Sequence, residues 1–322
     1  VSANVEFRPL RGFGHRHLQT VWPASLRRPP SLALTRQRID LPDHDFLDLF
    51  WGPRRAGPVV LLLHGLGGCS RSPYMLGLAK RLAERGFQAV AMHYRGAGGV
   101  PNRQPRFYHA GAWEDPAEAL AQIRTALPDR PVAAVGFSLG ASILLNWLAR
   151  GDAPRLPDAA VSVSVPFDLA ACARAVNRGF ARLYQRHLLG CLSRMYRSKF
   201  ATRPEAPVPV PELRRIRTLY EFDERITAPL HGFHGADDYY SRCSSGPLLP
   251  RITVPLLIVQ ARDDPFVPAA TLPDPTRLGA GTRLLLTRRG GHVGWLGGTP
   301  CRPEYWIEQC IPDYLARQLG GA

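Results

Sequence analysis

Lysine is nearly absent from this 322-residue chain. Only Lys80 and Lys199 occur, so arginine carries almost all of a formal net charge of +15. The arginines are scattered, with no dense basic tract and no nucleic-acid-binding motif, which argues against a nucleic-acid partner. A compositional preference for arginine is the first reading of the charge; peripheral contact with an anionic membrane, or an anionic substrate, is the alternative. No apolar run approaches the roughly 20 residues that a membrane-spanning helix needs. The N-terminal residues also lack a secretory pattern. A cytoplasmic location is therefore expected, with a peripheral membrane position left open. The chain opens on Val1 and not on methionine, which leaves it open whether residues precede Val1 in the native protein. The cysteines Cys69, Cys172, Cys191, Cys243, Cys301 and Cys310 include no C-x-x-C pair. A chain of this size needs no disulfide staples, so free thiols are expected. There is no internal repeat, and nothing in the sequence defines an oligomeric state.

What is present has the rhythm of an α/β protein. Residues 1–33 read as an irregular arm rich in Arg, Pro and Gly, and 34–51 as a hairpin turning at Pro42-Asp43. Short continuous apolar runs follow at 59–63, 88–92, 132–135 and 159–165, as strands buried on both faces require. Helical patterns at 75–85, 114–127 and 141–150 separate them. This alternation implies a mostly parallel sheet with helices on both faces. The rhythm stops at Pro166 and resumes at 256–260 and 283–287, before a last helix over 303–318. The expected organisation is an arm (1–33), a core (34–166 and 253–322), and an inserted, mainly helical cap (167–252). The insertion falls at the carboxyl edge of the sheet, where open α/β sheets bind ligands.

Gly136-Phe137-Ser138-Leu139-Gly140 matches G-x-S-x-G and lies between a strand and a helix pattern. A strand that turns abruptly into a helix forces its central residue into strained backbone angles, and side chains two positions away would clash. Ser138 is thus the candidate nucleophile. A serine hydroxyl needs a base, and only His292, in Gly290-Gly291-His292-Val293-Gly294, follows the last core strands. An acid is expected after the run 256–260, where Asp263 and Asp264 compete. Val267 and Pro268, three and four residues beyond Asp264, favour Asp264. The loop His64-Gly65-Leu66-Gly67-Gly68 follows the run 59–63, so the N–H groups of Leu66 and Leu139 are the expected oxyanion donors. His64 reads as a structural residue of that turn. His231, His234, Asp237 and Asp238 lack the histidine pair of a zinc helix, so no metal and no cofactor are expected. Tyr239 and Tyr240 are expected to pack the cap, and Arg95 to brace neighbouring loops.

These blocks together resemble the YheT-like branch of the α/β-hydrolases, whose animal relatives are membrane-associated lipid hydrolases. The resemblance runs through Gly14–Thr20, His64–Gly68, His93–Gly99, Tyr108–Gly111, Gly136–Gly140, Phe222–Pro229, Asp238–Tyr240, Asp263–Phe266 and Gly291-His292. It implies an α/β-hydrolase fold, a triad of Ser138, Asp264 and His292, and hydrolysis of a small-molecule carboxylic ester. No H-x-x-x-x-D acyltransferase motif is present, since Glu114 stands five residues after His109. A thioesterase or acyltransferase on the same residues, or a non-catalytic lipid-binding protein, are the rival readings.

Overall fold

A computed structural model describes residues 7–152 and 155–320, so the first six residues of the arm lie outside it. The arm is not irregular throughout. It contains a short helix, α1 (Arg16–Val21), that runs into a wider π turn over Trp22–Leu26. Tertiary bonds hold it there. Gln19 Nε2 donates to the carbonyls of Phe13 (2.8 Å) and Leu296 (2.9 Å), and Gln19 Oε1 accepts from Leu296 N–H at 2.7 Å.

An antiparallel pair, β1 (Thr35–Asp40) and β2 (Phe46–Trp51), leads into β3 (Val59–Leu63). Val59, Leu61 and Leu63 enter one hydrophobic cluster while Val60 and Leu62 enter another. A strand with no polar side has to be covered on both faces. The covering helices alternate with the strands: α2 (Pro73–Glu84), β4 (Gln88–His93), α3 (Glu114–Ala126), β5 (Val132–Phe137), α4 (Leu139–Arg150) and β6 (Ala159–Val163).

Residues between β6 and the next sheet strand form α5 (Leu169–Val176), α6 (Ala181–Phe200), α7 (Leu219–Phe222), α8 (Ala228–His231) and α9 (Ala236–Cys243). They build two satellite clusters, one around Leu192, Tyr196 and Ile226, the other around Tyr239, Tyr240 and Ala110. Buried Lys199, near the end of α6, donates to the carbonyl of Arg106 at 2.7 Å and so ties this layer to the loop after β4.

The sheet closes with β7 (Leu256–Ala261) and β8 (Thr282–Thr287). Its order is β1-β2-β4-β3-β5-β6-β7-β8; β2 runs antiparallel to both neighbours and every later pair is parallel. A hairpin of β9 (Leu296–Thr299) and β10 (Arg302–Tyr305) follows. The last helix, α10, therefore starts at Ile307 and runs to Leu319, so the sequence-based start at Pro303 is corrected. Pairing with Gly298 places Pro303 in the hairpin.

Candidate active site

β5 passes into α4 through Ser138 alone, which adopts φ 52° and ψ −118°. A side chain in this region costs on the order of 1–3 kcal/mol and persists only where the surroundings enforce it. Here the Ser138 N–H donates to Val163 O at 2.9 Å, and Ser138 O accepts from Ala141 N–H at 2.9 Å. Close approach explains the two glycines. A Cβ on Gly136 would lie 2.5 Å from Gly140 O, and one on Gly140 would lie 2.5 Å from the carbonyl oxygens of Leu63 and His64.

The loop after β8 carries His292 to this elbow. His292 Nε2 lies 2.8 Å from Ser138 Oγ, and Nδ1 lies 2.8 Å from Asp264 Oδ2. With Nδ1–H donating to Asp264, Nε2 is left to accept the serine proton. Asp264 is fully enclosed. It also accepts from Gln260 Nε2 (3.2 Å) and from the N–H groups of Phe266 (2.8 Å) and Val267 (3.3 Å). Asp263 points elsewhere: its Oδ1 accepts from Gly291 N–H at 3.0 Å, and burial raises its pKa above the ordinary carboxylate range. The imidazole is fixed from three further sides. The main-chain N–H of His292 donates to Thr20 Oγ1 (3.0 Å), the Val293 N–H donates to Ser164 Oγ (2.9 Å), and the Phe266 ring stacks on the imidazole at 4.1 Å.

The turn after β3 lies against the serine, since a Cβ on Gly65 would sit 3.2 Å from Ser138 Cβ. Within this turn Gly65 N–H donates to Tyr74 OH, Gly67 N–H to Tyr108 OH, both at 3.0 Å, and Gly68 N–H to Gly65 O. Among the described residues, the N–H groups of Leu66 and Leu139 have no protein acceptor. Such free donors at a helix start and an adjacent turn suit an oxygen that gains negative charge. His64 stays beneath the turn, fully buried, with Nδ1 2.8 Å from Gly65 O; burial pushes its pKa down to about 3.

Ser138, His292, Leu66 and Leu139 open into a cavity of about 590 Å³, within the range of small-molecule sites. Its walls come from the arm (Val21, Pro23), from the helices after β6 (Leu169, Leu183, Leu192), and from Tyr239 and Tyr240. Tyr239 OH also accepts from Ala110 N–H at 3.0 Å, so it both lines the cavity and ties α9 to the core. Arg95 is consumed by carboxylates, with Asp115 at 2.8 Å, Asp43 at 2.6 Å and Asp45 at 3.0 Å. It braces three segments. The histidines and aspartates of the 231–238 region diverge. The His231 ring lies tilted against that of His109 (4.3 Å between centroids), the His234 N–H donates to Asp238, and Asp237 accepts from Tyr220 OH. Among the described residues, no three His, Cys, Asp or Glu side chains converge as a metal ligand set, and all six cysteines are free.

Sequence reasoning assigned no role to Thr20, Phe266 or Asp223. Thr20 holds the main-chain N–H of His292, and Phe266 stacks on its ring. Asp223 lines the cavity, where its carboxylate accepts from Tyr240 OH (2.7 Å) and Thr227 Oγ1 (2.6 Å), and burial pushes its pKa up to about 6. Each lies within or beside a block that carried the family resemblance, which was the available signal.

A parallel sheet with an antiparallel entry pair and a serine at a strand–helix elbow defines the α/β-hydrolase class. The model of the alpha/beta hydrolase fold family matches residues 58–298. The chain belongs to this family, in its YheT-like branch. It is 42% identical to YheT of Escherichia coli (strain K12), over 99% of this chain and 95% of that protein. It is 34% identical to the monoacylglycerol lipase of Saccharomyces cerevisiae over 79% of this chain, and 30% identical to mouse (Mus musculus) phospholipase ABHD3 over 79%. It spans only 58% and 60% of those two proteins' lengths. Among solved structures, the Pyrococcus furiosus esterase Pf2001 superposes with a TM-score of 0.59 at 15% identity, covering 91% of this chain and all of that one. That likeness concerns the fold.

Proposed function

We propose that the protein is a serine hydrolase that cleaves carboxylic esters through an acyl-enzyme. The observation that carries this reading is the continuous chain from Ser138 Oγ through His292 to Asp264, each link 2.8 Å long. In the proposed cycle Ser138 attacks the ester carbonyl while His292 Nε2 takes its proton, and the leaving alcohol receives that proton. Asp264 fixes the tautomer and stabilises the imidazolium. The N–H groups of Leu66 and Leu139 hold the oxyanion. Water, activated by the same histidine, then releases the acid. No cofactor enters the scheme. The segment 167–252 acts as a cap whose apolar side chains wall an acyl pocket above the serine. Relatives named as a monoacylglycerol lipase and a phospholipase support lipid-like esters as the substrate class.

The test is hydrolysis of p-nitrophenyl esters by the wild type and by Ser138→Ala. The alanine variant is expected to lose about 10⁴-fold or more in kcat. Retention of about a tenth of the rate would remove Ser138 from the role of nucleophile.

A further inference from the structure

The exposed apolar surface of this protein is concentrated. Five of the seven large apolar side chains that are exposed among the described residues lie on two elements at the cavity mouth: Leu18, Trp22 and Leu26 on the arm, Phe180 and Leu183 at the start of α6. The arm residues recur every four positions through α1 and the π turn and so face one way, while Gln19, Thr20 and Pro23 are buried on the opposite side. Leu26 is 59% exposed, and Phe180 and Leu183 are each 50% exposed. The two elements touch, with the His17 ring 4.4 Å from Phe180 and its Nδ1 2.9 Å from Tyr184 OH. Both also reach the cavity, through Val21, Pro23 and Ala24 on one side and Phe180 and Leu183 on the other. Single exposed leucines need no explanation, but a grouped apolar rim marks an interaction site.

The charge carried by the two segments of this rim is positive, although one of their arginines, Arg27, is already paired with Glu308. Residues 7–34 contain five arginines and no carboxylate; residues 169–204 contain seven arginines, Lys199 and no carboxylate. Arg16, Arg28, Arg174, Arg178, Arg182 and Arg186 are exposed. Apolar tips flanked by cations match the two layers of an anionic bilayer surface, acyl chains below and head groups above. A second copy of this chain fits poorly, because symmetric contact would set two arginine-rich faces against each other.

We propose that Leu18, Trp22, Leu26, Phe180 and Leu183 form a docking face on which the protein rests on an anionic lipid surface, with the cavity mouth turned toward the lipid. This deepens the ester-hydrolase reading and rests on it, since it names the surface from which a lipid-like ester enters the cavity.

The experiment is co-sedimentation with vesicles of phosphatidylcholine alone and of phosphatidylcholine with phosphatidylglycerol, using the wild type, Ser138→Ala and the double variant Leu18→Ser/Leu26→Ser. Neither leucine lines the cavity. The wild type and Ser138→Ala should bind the anionic vesicles alike, with binding that weakens as salt rises. The double variant should bind about tenfold more weakly, because it loses apolar burial. It should still hydrolyse a soluble short-chain ester at the wild-type rate. Absence of binding to anionic vesicles at low salt, or equal binding by the double variant and the wild type, overturns the docking face whatever the esterase result. A wild-type dimer that the double variant abolishes in analytical ultracentrifugation also overturns it and assigns the face to a second copy. If binding behaves as expected but no ester is cleaved, the hydrolase reading fails and the docking face stands.

Discussion

Asp264 Oδ2 lies 2.8 Å from His292 Nδ1, while the adjacent Asp263 turns its carboxylate to the Gly291 N–H, 3.0 Å away. The two carboxylates leave the turn after β7 toward different partners, so only Asp264 orients the ring. Asp264→Asn is expected to lower kcat by roughly 10⁴-fold, because an amide favours the wrong tautomer. Asp263→Asn is expected to leave kcat within about tenfold of the wild type and to act mainly on thermal stability through the Gly291 contact. Steady-state kinetics of both variants beside their melting curves check this, and the opposite ranking would reverse the assignment.

The elbow should not tolerate a methyl group. A Cβ on Gly140 would lie 2.5 Å from two main-chain carbonyl oxygens, neither of which is the end of a flexible side chain. Gly140→Ala is expected to cost about 1–3 kcal/mol of stability, as overpacking does, and to reduce activity by more than the fraction unfolded explains. Chemical denaturation and active-site titration measure the two effects separately. A variant with full stability and full activity would show that the elbow relaxes freely.

The strands and the elbow were legible because their signals are local. Val59–Leu63 has no polar face in any conformation, and Gly136 and Gly140 answer steric demands made within a few residues or by the neighbouring strand. Ser138, Asp264 and His292 were nameable because each follows a strand. The arm helix was not legible: its Gln19 side chain is held by Phe13 and by Leu296, which lies 277 residues away. The β9–β10 hairpin was missed because Gly297, Gly298 and Pro303 are poor strand formers. Asp223 was marked only by its place in the block Phe222–Pro229; Thr227 lies one turn further along the chain, but the packing of α9 is what brings Tyr240 to its carboxylate.

Asp223 makes stability depend on pH in a defined direction. Its folded pKa is raised to about 6, above its unfolded value, so the folded state holds the extra proton between about pH 4 and 6. Relative to Asp223→Asn, the wild type should lose stability as pH rises through that window, by up to about 3 kcal/mol, and the difference should stay flat above pH 6. Urea titrations of both proteins across pH 4 to 7 test it. A difference that is constant with pH, or that grows in the wild type's favour, contradicts the buried protonated acid.

A walled acyl pocket predicts a break in chain-length preference. Each methylene buried contributes roughly 0.8 kcal/mol, so KM should fall several-fold per added carbon until the acyl chain reaches the end of the 590 Å³ cavity. Beyond that length kcat/KM should drop. A panel from acetyl to palmitoyl p-nitrophenyl esters reads the profile directly; a flat response would mean that the residues 167–252 do not enclose the acyl group.

The most direct test of the serine-hydrolase account is covalent labelling with a fluorophosphonate probe, followed by peptide mapping of the adduct by mass spectrometry. The account predicts one adduct per chain, on the peptide carrying Ser138, absent from Ser138→Ala and strongly slowed in His292→Ala. No labelling of the folded wild type, or an adduct on any other residue, would contradict it.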